Sequence, residues 1–311
     1  MSISEDVVHT PTSTSSLDAE APFNSSLPGA DVILRSSNNV HFHAHKNLLA
    51  IASPILRDMF ISPTPPFSVK SNDANHSAIQ AVPFPGDAHT LALFLRMIYP
   101  VDTPDLIALE DIHALLEISR KFDVRAVRVS GHLSLLKALP KNNPMSVYAL
   151  AMTYGLHEVA SQAALPCLRL PLSALNTPEI RLLSGDQYHR LLDFYIASWK
   201  TISVVTTRVV DWLQPVKHYI VLGRIHCACW RADSTRTFWA RRDVWAYLTR
   251  VRYACQHLGM DALKIELDEE VKYCHQCSYC TGEEKQWEEF LALFRVQVEK
   301  QLAKVPLPNF E

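Results

Sequence analysis

Residues 31–60 read D-V-I-L-R-S-S-N-N-V-H-F-H-A-H-K-N-L-L-A-I-A-S-P-I-L-R-D-M-F, and they contain the strongest structural signals in the N-terminal part of the chain. Residues 31–36 and 40–44 are β-rich runs on either side of an Asn-containing turn, which predicts a β-hairpin. A helix follows, and Ser53-Pro54 starts a second one, because Ser is a favoured N-cap residue and Pro fits the first helical position.

Beyond this stretch the pattern changes from short strands to helices. One further strand is predicted at 78–84. Apolar residues then recur at helical spacing over 89–99, 109–122 and 124–139. From Pro144 onward the periodicity is helical, with a long helix at 187–212 and a last one at 285–304. The fold class we expect is therefore α+β for the N-terminal part, followed by an all-α helical region.

The composition excludes several classes of function. The chain has eight glycines, no two of them within twenty residues of each other, so a dinucleotide fingerprint, a P-loop or a nucleophile elbow cannot form. We therefore do not expect an enzyme. The net charge of −2 provides no overall basic field for nucleic acid. No apolar run approaches the ~20 residues of a membrane span. The first basic residue is Arg35, so the basic start of a signal peptide is missing, and we expect an intracellular protein.

Five of the seven cysteines lie in two short stretches. Cys227-x-Cys229 and Cys277-x-x-Cys280 provide four thiolates in two pairs, which suits a tetrahedral structural zinc site. Buried free cysteines are also common core residues, and spacing alone does not bring the two pairs together. Structural zinc and core thiols therefore both remain open.

The Asp before the first strand, the His-Lys that opens the first helix, the Ser before the second helix and its final Met-Phe together resemble the opening of BTB/POZ domains. The resemblance continues through 94–99 and 115–129. Residues 145–212 are more loosely similar to the helical BACK-type extension, and the whole chain is similar to fungal BTB-domain proteins. The resemblance implies an α+β interaction domain that is often dimeric and whose output is protein binding.

The domain bounds that we predict combine this resemblance with composition. Residues 1–28 are rich in Ser, Thr and Pro and are expected to be disordered. The BTB/POZ domain is expected at 29–138, a BACK-like helical region at 140–212, and a helical C-terminal region with the cysteine cluster at 213–311. The swapped N-terminal helix of many dimeric members has no counterpart in residues 1–28.

Asp31 and Lys46 match an acidic–basic pair that lies near the dimer surface in the family. Because their neighbours are expected in the core, we predict a partly buried pair at an interaction surface. Members that recruit cullin ubiquitin ligases often place an apolar-x-Glu motif before the third strand. This chain has no Glu between Glu20 and Glu110, which leaves cullin recruitment unsupported.

The sequence thus predicts a protein-interaction adaptor that binds protein partners, including itself, through the BTB domain. A ubiquitin-ligase substrate adaptor is a narrower form of this prediction. The alternative is a transcriptional regulator that uses the C-terminal cysteine region. That alternative needs a basic recognition helix beside the ligands, whereas the residues around 274–280 are acidic.

Overall fold

The computed structural model divides into two compact units, Met1–Ala138 and Leu139–Glu311. The residues that it describes are 17–61, 79–102, 105, 106, 108–213, 230–232, 239–258 and 284–308.

The N-terminal unit contains a four-stranded sheet in the order β1-β3-β2-β4. Its strands are β1 (Leu17–Asp18), β2 (Val32–Arg35), β3 (Val40–Ala44) and β4 (Gln80–Pro83). β2 and β3 form the predicted antiparallel hairpin, with Asn39 in the left-handed region at a φ of 63°. Asn tolerates this conformation better than most residues, which explains its place in the turn. β4 runs parallel to β2, and β1 runs parallel to β3.

The helices of this unit pack against the sheet and against one another. They are α1 (Lys46–Ala52), α2 (Pro54–Ile61), α3 (Ala88–Ile98), α4 (Leu109–Phe122) and α5 (Arg125–Ala138). The rings of Phe84, Phe94 and Phe122 meet in the core, with centroids 5.2 to 6.4 Å apart. α4 and α5 approach so closely that a Cβ atom at Gly131 would lie 2.6 Å from Leu116 Cδ2.

The prediction that residues 1–28 are disordered is wrong for residues 17–28. The Ala19 N–H donates to the His41 carbonyl at 2.9 Å, and the His43 N–H donates to the Phe23 carbonyl at 2.8 Å. Phe23 is 2% exposed and meets Tyr99 edge to face at 5.1 Å. Average composition does not predict this order, because it does not register a single residue that becomes buried. One large buried aromatic residue, together with pairing to the edge of β3, is enough to order the backbone. Residues 1–16 lie outside the described residues.

The C-terminal unit is mainly helical. Its helices are α6 (Pro144–Thr153), α7 (His157–Cys167), α8 (Gly185–Thr207), α9 (Val209–Leu213), α10 (Arg242–Leu258) and α11 (Glu284–Leu302). Short 3₁₀ turns lie at Leu139–Lys141, Leu172–Leu175 and Pro178–Leu182. Ser184 and Gln187 start α8 with a reciprocal capping box. The single long helix predicted at 187–212 is interrupted at Arg208, which separates α8 from α9.

The apolar stripe of α8 is a core face. Ile202 and Val205 are buried in one cluster with residues of α10 and α11. Tyr247 of α10 meets Phe294 of α11 edge to face, with ring centroids 5.8 Å apart. The three helices therefore bury their apolar faces against one another within this unit.

A short antiparallel hairpin adds a feature that the helical periodicity did not predict. Its strands are β5 (Trp230–Ala232) and β6 (Trp239–Arg241). Both strands begin with Trp, a residue that favours strands. The fold class of an α+β domain followed by a helical region is confirmed, with this hairpin as a local addition. The likeness of residues 140–212 to a BACK-type extension stays a prediction.

Candidate interaction surface

The predicted pair Asp31 and Lys46 lies at the start of α1. Asp31 Oδ1 accepts a hydrogen bond from the backbone N–H of Lys46 at 2.7 Å. The predicted partial burial of this pair is wrong for Asp31, which is exposed. Its carboxylate bonds to the backbone because the N-cap residue of α1, His45, makes no capping bond with its side chain. Asp31 therefore satisfies a free N–H at the N-terminus of the helix and complements the helix dipole. The role of this pair in an interaction surface stays a prediction.

Tyr99 fixes the residue that precedes α1. Its hydroxyl accepts from the His45 backbone N–H at 2.7 Å and lies 3.0 Å from His45 Nδ1. The Pro28 carbonyl, 2.9 Å from His45 Nε2, can only accept, so Nε2 carries the ring proton and donates to it. In this tautomer Nδ1 accepts from the Tyr99 hydroxyl. Burial raises the pKa of Tyr99, so the hydroxyl keeps the proton that this arrangement needs. The entry to α1 is thereby held by bonds to two distant segments.

Ser53 fixes the junction between α1 and α2, as the Ser-Pro pair predicts. Its hydroxyl accepts from the Leu56 N–H at 3.0 Å and donates to the Phe122 carbonyl at 2.5 Å. Ser53 is fully buried. The same hydroxyl therefore caps the N-terminus of α2 and satisfies a carbonyl at the C-terminal end of α4.

These anchored helices expose large apolar side chains. The exposed fractions are 83% for Ile51, 40% for Ile55, 36% for Met59 and 73% for Ile61. Ile55 and Met59 lie one turn apart and share a face of α2. Exposed apolar groups on neighbouring elements are typical of interaction surfaces. We call these four residues the α1–α2 face.

Sequence reasoning missed this face. The helical spacing of its apolar residues predicts α2 but not which of them are buried, and among them only Leu56 is fully buried. Ile55 and Met59 lie four residues apart and so share a helix face. Met59 also lies three residues after the buried Leu56, so spacing alone does not separate the exposed side chains of α2 from the buried one.

The predicted zinc ligands Cys227, Cys229, Cys277 and Cys280 lie outside the described residues. Within the described ranges, no group of three or more His, Cys, Asp and Glu side chains could hold a metal ion.

Two further cysteines, Cys167 and Cys255, are buried. Burial raises the pKa of each thiol to about 12. Both thiols are therefore protonated at neutral pH and poor nucleophiles.

No helix in the described part of the chain combines the length and the apolar character needed to cross a membrane.

Comparison with known proteins supports the interpretation of the N-terminal unit. No curated protein matches the chain. Residues 23–139 match the family model of the BTB/POZ domain. The match begins at Phe23, the buried aromatic residue that orders the N-terminal segment, and covers all of α1 to α5. Residues 23–139 of the chain are therefore a BTB/POZ domain.

Proposed function

We propose that this protein is an intracellular, non-enzymatic adaptor whose BTB domain self-associates through the α1–α2 face, while its helical unit provides a second binding surface. BTB domains are typically non-enzymatic modules of protein interaction, so the family match supports the general role. The observation that carries the specific proposal is the exposure of Ile51, Ile55, Met59 and Ile61.

Hydrophobic burial provides the driving force for this association. Fully burying an Ile or Met side chain stabilises a complex by roughly 1.5–3 kcal/mol relative to full exposure. In a two-fold dimer the same face is used by both copies, so every exposed side chain contributes twice. The bonds made by Asp31, Tyr99 and Ser53 hold the entry to α1 and the α1–α2 junction in place, which lowers the entropic cost of association.

Sedimentation of the full chain tests the proposal. Ile55→Asp combined with Met59→Asp should convert the dimer to monomer, because a carboxylate would lie unpaired in the interface. The matched control is Val129→Asp combined with Leu133→Asp on α5. These residues have the same spacing in the same domain, with exposed fractions of 53% and 54%. The control should keep the mass of the wild type.

Two outcomes would contradict the self-association proposal. One is a monomeric wild-type chain at all accessible concentrations. The other is dissociation by the α5 control with no effect of the α2 variant, which would move the pairing surface to α5.

A ubiquitin-ligase substrate adaptor is the narrower form of this proposal. Because the chain lacks Glu from residue 21 to 109, the apolar-x-Glu element of cullin-recruiting members has no counterpart. We therefore expect a purified cullin N-terminal region to bind the full chain more weakly than about 1 μM. Calorimetry measures this affinity, and tighter binding would place the chain among the ligase adaptors.

A further inference from the structure

The C-terminal unit contains a cleft of about 520 Å³ between α8, α9 and α11. This volume lies in the range of sites that hold a small molecule or a few residues of a peptide. All of its described lining residues belong to the C-terminal unit, so the cleft is a feature of that unit alone.

The apolar part of the cleft includes a tryptophan ring and valine side chains. Trp212 lines it, and its indole N–H donates to the Val205 carbonyl at 3.0 Å. The ring lies against Phe290 and Phe294, with centroids 6.2 and 6.1 Å away. Because its N–H is already bonded, Trp212 offers a ligand apolar ring surface. Val204, 51% exposed, adds to this surface.

Two cations flank the apolar part. Lys200 and Arg208 each lie one helical turn from Val204, so they are about 12 Å apart along α8. Neither forms an ion pair with another described residue. A cation at the C-terminal end of a helix interacts favourably with the helix dipole, which explains the position of Arg208 at the C-cap of α8. This explanation does not apply to Lys200, which lies within the helix. Asp211 is the one carboxylate among the described lining residues, which leaves a net positive lining.

The opposite wall carries amide side chains. Gln297 and Gln301 lie one turn apart on α11 and are half-buried. A carboxamide both donates and accepts hydrogen bonds, as the peptide group does. This wall therefore matches a peptide backbone better than it matches a purely apolar ligand.

We propose that this cleft binds a short acidic peptide segment of a partner protein, with one apolar side chain against Val204 and Trp212 and a carboxylate on each side facing Lys200 and Arg208. The cation separation of about 12 Å corresponds to about four residues of extended chain. A peptide can place one apolar side chain between two separated carboxylates. A nucleic acid fits this cleft less well, because the charges of its phosphate backbone are continuous. The inference rests on the proposed adaptor function, because it gives the second binding surface its ligand.

The test uses fluorescence polarisation with the full chain. The probes are labelled short peptides with a central Leu, Phe or Trp flanked on both sides by Asp or Glu, and the same peptides with Lys in place of the acids. The acidic set should bind, and the Lys set should bind at least tenfold more weakly. Raising the ionic strength should weaken the acidic set, because exposed charges are screened by salt.

Two variants and one matched control locate the site. Lys200→Glu combined with Arg208→Glu should weaken the acidic peptides at least tenfold. Val204→Asp, at a half-exposed position that folding tolerates, should weaken them similarly. The control is Lys141→Glu combined with Arg169→Glu, two exposed cations of the same unit outside the described lining. It makes the same change in net charge and should bind as the wild type does.

Four outcomes overturn the proposal: no acidic peptide binds the wild type, the Lys set binds equally well, the cleft variants bind as the wild type does, or the control weakens binding as much. If the cleft variants instead change the sedimentation mass, the occupant is a second copy of this chain and the peptide proposal is wrong. If the α2 variant loses self-association but still binds the acidic peptides, the dimer surface and the cleft are independent of each other. Their failures are therefore distinguishable.

Discussion

Replacing Ser53 by Ala should destabilise the N-terminal unit far more than an ordinary Ser→Ala change. Ser53 is fully buried, and its hydroxyl joins α2 to the end of α4 across 69 residues of sequence. The variant leaves the Phe122 carbonyl buried without this partner, which costs roughly 1–3 kcal/mol. It also removes the cap from the Leu56 N–H, which costs roughly 0.5–2 kcal/mol. We expect the free energy of unfolding to fall by roughly 2–4 kcal/mol.

Urea unfolding followed by circular dichroism measures this loss in the full chain. Ser37→Ala is the control, since Ser37 is exposed in the hairpin turn. Ser53→Gly should lose less than Ser53→Ala, because Gly replaces Ser at an N-cap at a cost of only a few tenths of a kcal/mol. Faster amide exchange at Leu56 would report the lost cap even if the two units unfold separately. A free energy for Ser53→Ala within about 0.5 kcal/mol of the Ser37→Ala value would refute the reasoning.

Four further predictions follow from single sites. Asp31→Ala removes a helix cap worth about 1 kcal/mol, so the melting temperature measured by calorimetry should fall by about 4 °C. Any dimer should also shift toward monomer. Asp31→Asn is the control and should retain most of the cap. Hydrogen bonds from the side chain and from the backbone N–H of Thr90 lower the pKa of Asp87. The stability that the Asp87 carboxylate contributes is therefore fully present above pH 3.8, its ordinary pKa, and is lost as the pH falls through the lowered pKa. The difference in melting temperature between the wild type and Asp87→Ala, measured by calorimetry, should therefore become smaller in acid. Cys167 and Cys255 should resist iodoacetamide in the folded chain at pH 8 and react after denaturation, as mass spectrometry of peptides would show. Metal analysis of protein purified without chelator should find about one zinc per chain, and Cys277→Ser should abolish it; folded protein without zinc would leave these cysteines as core thiols.

The features predicted correctly from the sequence are those that depend on residues close together in the chain. The hairpin follows from two β-rich runs around Asn39, and the start of α2 follows from Ser53-Pro54. The bounds of α4 follow from its apolar spacing. In each case the physical cause is a turn, a cap or an amphipathic stripe, which acts over a few residues.

The tertiary structure decided which partner each of these residues meets. Composition placed Phe23 in a disordered segment, but Tyr99, far along the chain, buries it. Likewise, Asp31 resembled one half of a charge pair, whereas the fold brings it to a backbone N–H.

The same limit applies to both candidate surfaces. The sequence shows that Ile55, Met59 and Val204 are apolar residues in helices, but it does not show that they stay exposed. Residues close together in the chain specify the local elements and carry the BTB resemblance. Which apolar and charged side chains remain available to a partner depends on the tertiary structure, because burial involves residues that are distant in sequence and become neighbours only when the chain folds.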